Sequence, residues 1–222
     1  FRSEVLVMSR LHHPNVLLLV GACSEFPNLC IVTEFLPNGA LFDVLHKKNA
    51  RDTLTLKQQM QWLLETASGM AYLHEQGLMH RDLKSLNVLL DDLNRAKLCD
   101  FGLAKIVGDA QRTMTSGVGS LLWMSPEVMR GEPYSFSADV YSWGIMAWEI
   151  MSPEEMLFPG MSSYEVSRKI VTGHRPKVDP AWSYCVCQLM QHCWSDVKED
   201  RPTFVEVMLQ LEAVIQPVAE ND

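Results

Sequence analysis

Eight consecutive residues hold the densest run of reactive side chains in the chain: His80-Arg81-Asp82-Leu83-Lys84-Ser85-Leu86-Asn87. Asp100-Phe101-Gly102 begins thirteen positions after Asn87. Together they offer a carboxylate beside a lysine, then an amide oxygen and a second carboxylate. A carboxylate held against a hydroxyl can orient it and take its proton. Amide and carboxylate oxygens suit a hard cation. A third marker, Ser125-Pro126-Glu127, lies further on.

In order and spacing the first two segments match the H-R-D-x-x-x-x-N and D-F-G motifs of the protein kinases. Ser125-Pro126-Glu127 resembles the A-P-E triplet that closes the family's activation segment. One such triplet alone is common by chance; the joint pattern is far more specific. The resemblance implies phosphoryl transfer from ATP to protein hydroxyls, a reaction that asks for positioning and charge neutralisation. Asp82 then falls at the catalytic base. Lys84 resembles the phosphate-contacting lysine of serine/threonine kinases, where tyrosine kinases usually carry A-A-R or R-A-A. Asn87 and Asp100 fall at the Mg2+ ligands.

These residues need elements to position them. Phe1, Val5 and Met8 have helical spacing, and His12-His13-Pro14-Asn15 ends that helix. The segment resembles helix C of the kinase amino-terminal lobe, with Glu4 as the glutamate that pairs with a strand-three lysine. No G-x-G-x-x-G loop occurs, and the first lysine is Lys47. The chain is therefore expected to be a fragment of a longer reading frame. As it stands it is expected to bind ATP poorly and not to turn over.

Val16 to Cys23 and Leu29 to Phe35 read as two strands around a turn at Glu25-Phe26-Pro27-Asn28. By resemblance Thr33 is the gatekeeper and Glu34-Phe35-Leu36 the hinge, whose backbone groups bond adenine. Leu89 is placed as the floor of the adenine pocket. Pro37-Asn38-Gly39 breaks the strand. Ala40 to His46 reads as a short helix and Lys47 to Asp52 as a polar linker. Thr55 and Gln58 form a capping-box pattern opening a long helix to about Glu75, which Gly77 ends. Val88 to Leu90 and Ala96 to Cys99 read as short strands.

The segment from Asp100 to Glu127 carries Thr113, Thr115, Ser116 and Ser120. Arg81 precedes the base, as in kinases whose arginine receives a loop phosphate. An upstream activating kinase acting at Thr113, Thr115 or Ser116 is the expectation, because phosphate orders a loop against arginine. Glu127 is expected to pair with Arg201. Asp139 opens a helix that is apolar on most faces and resembles the family's anchor for the catalytic loop. Met8, Leu19, His80 and Phe101 would stack above it. Thr203 and Glu206 repeat the capping-box pattern.

The 222 residues fit one large domain or two lobes, and 47% are hydrophobic, enough for a sizeable core. A net charge of −8 gives no basic field for nucleic acid. Val16 to Val20 is only strand-length, and Val140 to Met151 is broken by Glu149, so neither spans a bilayer. No secretory signal is recognised at the start. Six cysteines form no C-x-x-C array, and reduced thiols of a cytoplasmic protein are expected. Cys99, next to Asp100, reads first as a small buried residue and second as a thiol that an electrophile in the nucleotide pocket could reach.

The expected fold is α+β and kinase-like: residues 1–35 as an amino-terminal lobe remnant, 36–39 as hinge, 40–222 as a mainly helical lobe. Lys84 and Gly119 to Met124 resemble the tyrosine-kinase-like group, near the Raf and mixed-lineage kinases, and Cys193-Trp194 followed by Asp200-Arg201-Pro202 resembles an ending shared by tyrosine and tyrosine-kinase-like kinases. The function expected is serine/threonine phosphorylation. The alternatives are a pseudokinase or scaffold, and a tyrosine or dual-specificity kinase.

Overall fold

The computed structural model describes residues 2–100, 105–106 and 118–219, with side chains for residues 5–100 and 121–215. Phe101, Thr113, Thr115 and Ser116 lie outside the described residues, as do the side chains of Glu4 and Ser120.

Helix α1 (Arg2–Met8) leads to strands β1 (Leu19–Cys23) and β2 (Cys30–Thr33), which pair antiparallel. The expected first strand is shorter than its apolar run, because residues 15–17 have another partner. Val16 bridges Leu98 in parallel, the Leu17 amide donates to Leu98 O (2.9 Å), and the Leu98 amide donates to Asn15 O (2.9 Å). That pairing fastens the amino-terminal part to the helical part.

Helix α2 (Leu41–Leu45) follows, then α3 (Ala50–Thr53). α3 corrects the expected linker over 47–52. Its composition is polar, but Ala50 is buried, and the Thr53 hydroxyl bonds back to the Asn49 and Ala50 carbonyls. Helix α4 (Leu56–Glu75) buries Met60, Leu63, Ala67, Met70 and Leu73 along one side. Thr55 caps it by accepting from the Gln58 amide (3.2 Å). The other half of the expected box is not made: the Gln58 side chain donates to Asn94 O instead (3.3 Å). Gly77, at φ +72°, turns the chain out of the helix.

Strands β3 (Leu78–Met79), β4 (Val88–Leu90), β5 (Ala96–Leu98) and β6 (Lys105–Ile106) make two further antiparallel pairs, β3 with β6 and β4 with β5. The rest is helical: α5 (Pro126–Met129), α6 (Ser137–Met151), α7 (Ser163–Val171), α8 (Tyr184–Cys193) and α9 (Phe204–Ala219). α6 is buried on all sides from Val140 to Met151 save Ser142, as a helix apolar all round must be. α4 packs on α6 and α9, and α8 on α6 and α9. Two glycines allow the closest approaches. A Cβ at Gly69 would lie 2.7 Å from Asn15 O, and one at Gly144 would lie 2.8 Å from Cys193 Cβ. The fold is α+β and mainly helical, with α1 and two strands at its amino-terminal end.

Candidate active site

The reactive segment hangs between β3 and β4, with α6 beneath it. Asp139, near the start of α6, is 2% exposed and receives three hydrogen bonds. Its Oδ2 accepts from the His80 amide (2.9 Å) and from His74 Nε2 (2.9 Å); its Oδ1 accepts from the Arg81 amide (2.9 Å). Burial alone would raise the pKa of this carboxyl. The His74 hydrogen bond and charge and the Arg81 amide outweigh it and hold the pKa below the ordinary value. Arg81 sits at φ +69°, a region that disfavours a side-chain-bearing residue, and the bond from its amide to Asp139 helps hold it there.

His80 is fully buried, and burial keeps its pKa below the ordinary value despite nearby Asp139 and Asp82. The neutral ring donates from Nε2 to Cys99 O (3.1 Å) and presents Nδ1 to the Asp82 amide (3.4 Å). One ring thus links the loop to the residue before Asp100.

The three residues expected at the centre of the loop meet. Lys84 Nζ donates to Asp82 Oδ2 (2.6 Å). Asn87 Nδ2 donates to the same Oδ2 (3.0 Å) and to Asp82 O (2.8 Å). The Asn87 amide oxygen is thereby directed away from Asp82. The Cys99 amide donates to Asn87 O (2.9 Å), so Asp100 follows directly on a residue bonded to Asn87. Asp100 is exposed, at φ +62°. Among the described residues no cluster of three or more His, Cys, Asp or Glu side chains forms a metal cage. An amide oxygen and one carboxylate are still the donor types Mg2+ takes when phosphates and water complete its shell. Burial, with the Asp100 charge, pushes the Cys99 thiol up to about 12, which makes it a poor nucleophile.

The expected hinge runs beside this loop. The Asn38 amide donates to Leu90 O (3.2 Å), the Leu90 amide to Gly39 O (2.9 Å), and Ala40 bridges Leu89. Leu36 is buried, Leu89 is partly buried, and Thr33 ends β2 opposite Leu19. The Glu34 side chain is more engaged than a hinge bonding through its backbone requires. Its Oε1 accepts from the Leu18 amide (2.9 Å) and from Lys97 Nζ (2.9 Å), tying the residue after β2 to the residue before β1 and to β5.

Glu149 was not foreseen as part of the site. This α6 carboxylate is 3% exposed. It accepts from Ser85 Oγ in the loop (2.8 Å), from Trp123 Nε1 (3.1 Å), and pairs with His46 Nε2 of the segment after α2 (3.0 Å). Its signal was present: an acidic residue in the apolar run from Val140 to Met151 must find partners. His74 was missed for want of a motif. A cavity of about 40 Å³ lies among Asp82, Leu83, Trp123, Met124 and Val128. Below it, Arg201 meets Glu127 in two parallel bonds (2.6 and 2.9 Å), as expected. Burial would raise the Glu127 pKa, but Arg201 holds it below the ordinary range. Met8 and His80 are buried and Leu19 is partly buried.

An HRD loop anchored on a central helix, followed by a paired strand and the start of D-F-G, defines a protein kinase fold. The profile described as protein tyrosine and serine/threonine kinase matches residues 1–211. The chain belongs to that family. It is 42% identical over 209 residues to a probable serine/threonine-protein kinase of Dictyostelium discoideum, covering 94% of this chain and 22% of that protein. It is 35% identical over 225 residues to serine/threonine-protein kinase STY17 of Arabidopsis thaliana, covering 100% of this chain and 38% of that protein. The serine/threonine/tyrosine-protein kinase HT1 of Arabidopsis thaliana is 35% identical over 224 residues, with 56% of its length covered. The chain thus spans well under two thirds of these relatives. Among the described residues no helix is long and apolar enough to cross a membrane.

Proposed function

We propose that the protein carrying this chain transfers the γ-phosphoryl group of ATP to serine or threonine hydroxyls of protein substrates. The observation that carries the reading is the convergence of Lys84 Nζ and Asn87 Nδ2 on Asp82 Oδ2, at 2.6 and 3.0 Å. In this reading Asp82 orients the substrate hydroxyl and takes its proton as the oxygen attacks phosphorus. Lys84 offsets negative charge beside it. Asn87 Oδ1 and the Asp100 carboxylate would hold Mg2+, which supplies charge neutralisation on the phosphates. Residues 36–39 form the hinge between an amino-terminal part (1–35) and a carboxy-terminal lobe (40–222), with Thr33, Glu34, Leu36 and Leu89 about the adenine and Glu4 as the partner of a lysine. An upstream kinase phosphorylates the segment that holds Thr113, Thr115 and Ser116, and the protein works in the cytoplasm.

The test is phosphotransfer from radiolabelled ATP by the full-length protein, wild type against Asp82→Asn, followed by phosphoamino-acid analysis. The expected loss is about 100-fold or more, the range for removing a general base, with label on serine and threonine. Equal rates from both proteins would sink the catalytic reading. Label on tyrosine as well would favour dual specificity, which the name of one relative includes.

A further inference from the structure

Cys23 and Cys30 lie directly opposite one another across the β1–β2 hairpin. Residues directly paired across an antiparallel ladder project to the same face. Their Cα atoms stand about 4.5 or 5.5 Å apart, according to the type of pair. A disulfide accepts Cα separations of about 4.4–6.8 Å, so either type of pair fits. Both thiols are free; Cys30 is exposed and Cys23 partly so. The other cysteines are worse placed. Cys193 is buried with its pKa driven up, Cys99 is pushed up to about 12, and Cys185 and Cys187 are two apart on a helix and diverge.

We infer that Cys23 and Cys30 form a dithiol modification site, which a peroxide converts to an intramolecular disulfide across the hairpin. The more exposed Cys30 reacts first. Its thiolate attacks the peroxide O–O bond, forming S–O and releasing one oxygen as water. The Cys23 thiol then attacks the sulfenic sulfur, S–S forms, and the hydroxyl leaves as a second water. Two thiols lose two electrons and two protons, and one hydrogen peroxide becomes two waters. β2 ends at Thr33, beside Glu34, so the clasp stiffens the strand leading to the bond between Glu34 and Lys97. Thiols placed this way in a reducing compartment serve as transient sensors rather than permanent staples.

The chemistry is readable without any activity assay. Native protein is treated with hydrogen peroxide, alkylated, and digested with a protease that cuts after glutamate. Glu25 lies between the two cysteines, so cleavage there separates Val5–Glu25 from Phe26–Glu34. The expected product is these two peptides joined as one species, lighter than their sum by two hydrogen atoms and separated by dithiothreitol. Free thiols should fall by two per chain. In Cys30→Ser the linked species disappears, while thermal unfolding stays within a few degrees of wild type. Oxidation of Cys30 with Cys23 still fully alkylated would overturn the proposal. So would linkage of either residue to another cysteine or to a second chain.

Discussion

The loop from His80 to Asn87 and the hairpin of β1 and β2 are held in opposite ways. The loop rests on buried carboxylates: Asp139 from below and Glu149 from the side, each receiving three donors. The hairpin has its ladder and a single packed face, with Leu19 and Ile31 against the core. Its other face is open, Val20 being 66% and Val32 49% exposed, and the adjoining Phe26 and Phe35 90% and 86%. Reactive groups are thus fixed by polar bonds in a dry interior, where an unmet donor is costly. The strand that leads to Glu34 depends on weaker, one-sided contact.

That contrast predicts the largest effects at the two α6 carboxylates. Asp139→Ala and Glu149→Ala each strand three buried donors. Breaking such buried charged networks costs about 3–5 kcal/mol, read from the urea midpoint at constant m-value. Either variant unfolding within about 1 kcal/mol of wild type, the net worth of one ordinary hydrogen bond, would remove the claim that these groups hold the loop.

Acid should find the loop before the hairpin. His80 has its folded pKa depressed by burial below 6.5. Below pH 6.5 the unfolded chain takes up a proton that the folded site refuses, so stability falls as pH drops toward the depressed value. Glu127 and Asp139 follow. Their ordinary values are 4.5 and 3.8, and their folded values lie lower. Their stabilisation is complete above those ordinary values and is lost as pH falls through the folded ones. Glu65, raised by burial, works in the opposite sense. Amide exchange corrected for intrinsic rate should therefore rise at residues 80–87 between pH 7 and 5, ahead of residues 19–33. A flat loop profile over that range would break the comparison.

Much of this arrangement was legible in the residues. The spacing of Asp82, Lys84, Asn87 and Asp100 marked the loop, but not that Lys84 and Asn87 would both bond Asp82 Oδ2. The Thr203/Glu206 pattern anticipated a reciprocal cap: the Thr203 amide donates to Glu206 Oε2 (2.7 Å) and the Glu206 amide donates to Thr203 Oγ1 (3.3 Å). The similar Thr55/Gln58 pattern gave only half a cap, because Asn94 O, remote in sequence, competes for Gln58. Glu149 escaped for the same kind of reason: its partners lie 103, 64 and 26 positions away. Local periodicity carries no record of such separations. Nor does it reveal that Arg81 adopts positive φ, a region arginine does not favour.

The smallest predicted effect isolates the difference between the regions with one chemical change. Val→Thr keeps shape but replaces a methyl with a hydroxyl, so its cost measures how dry a position is. At Val20 and Val32 the hydroxyl meets water, and each variant should lie within about 0.5 kcal/mol of wild type. Val88, on β4 beside Asn87, is 0% exposed. There the same hydroxyl loses its water, and burying one without a new partner costs about 1–3 kcal/mol. Thermal unfolding of the three variants under one buffer gives the ordering. If Val20→Thr or Val32→Thr cost as much as Val88→Thr, the open face of the hairpin is covered in solution, and the contrast between hairpin and loop fails.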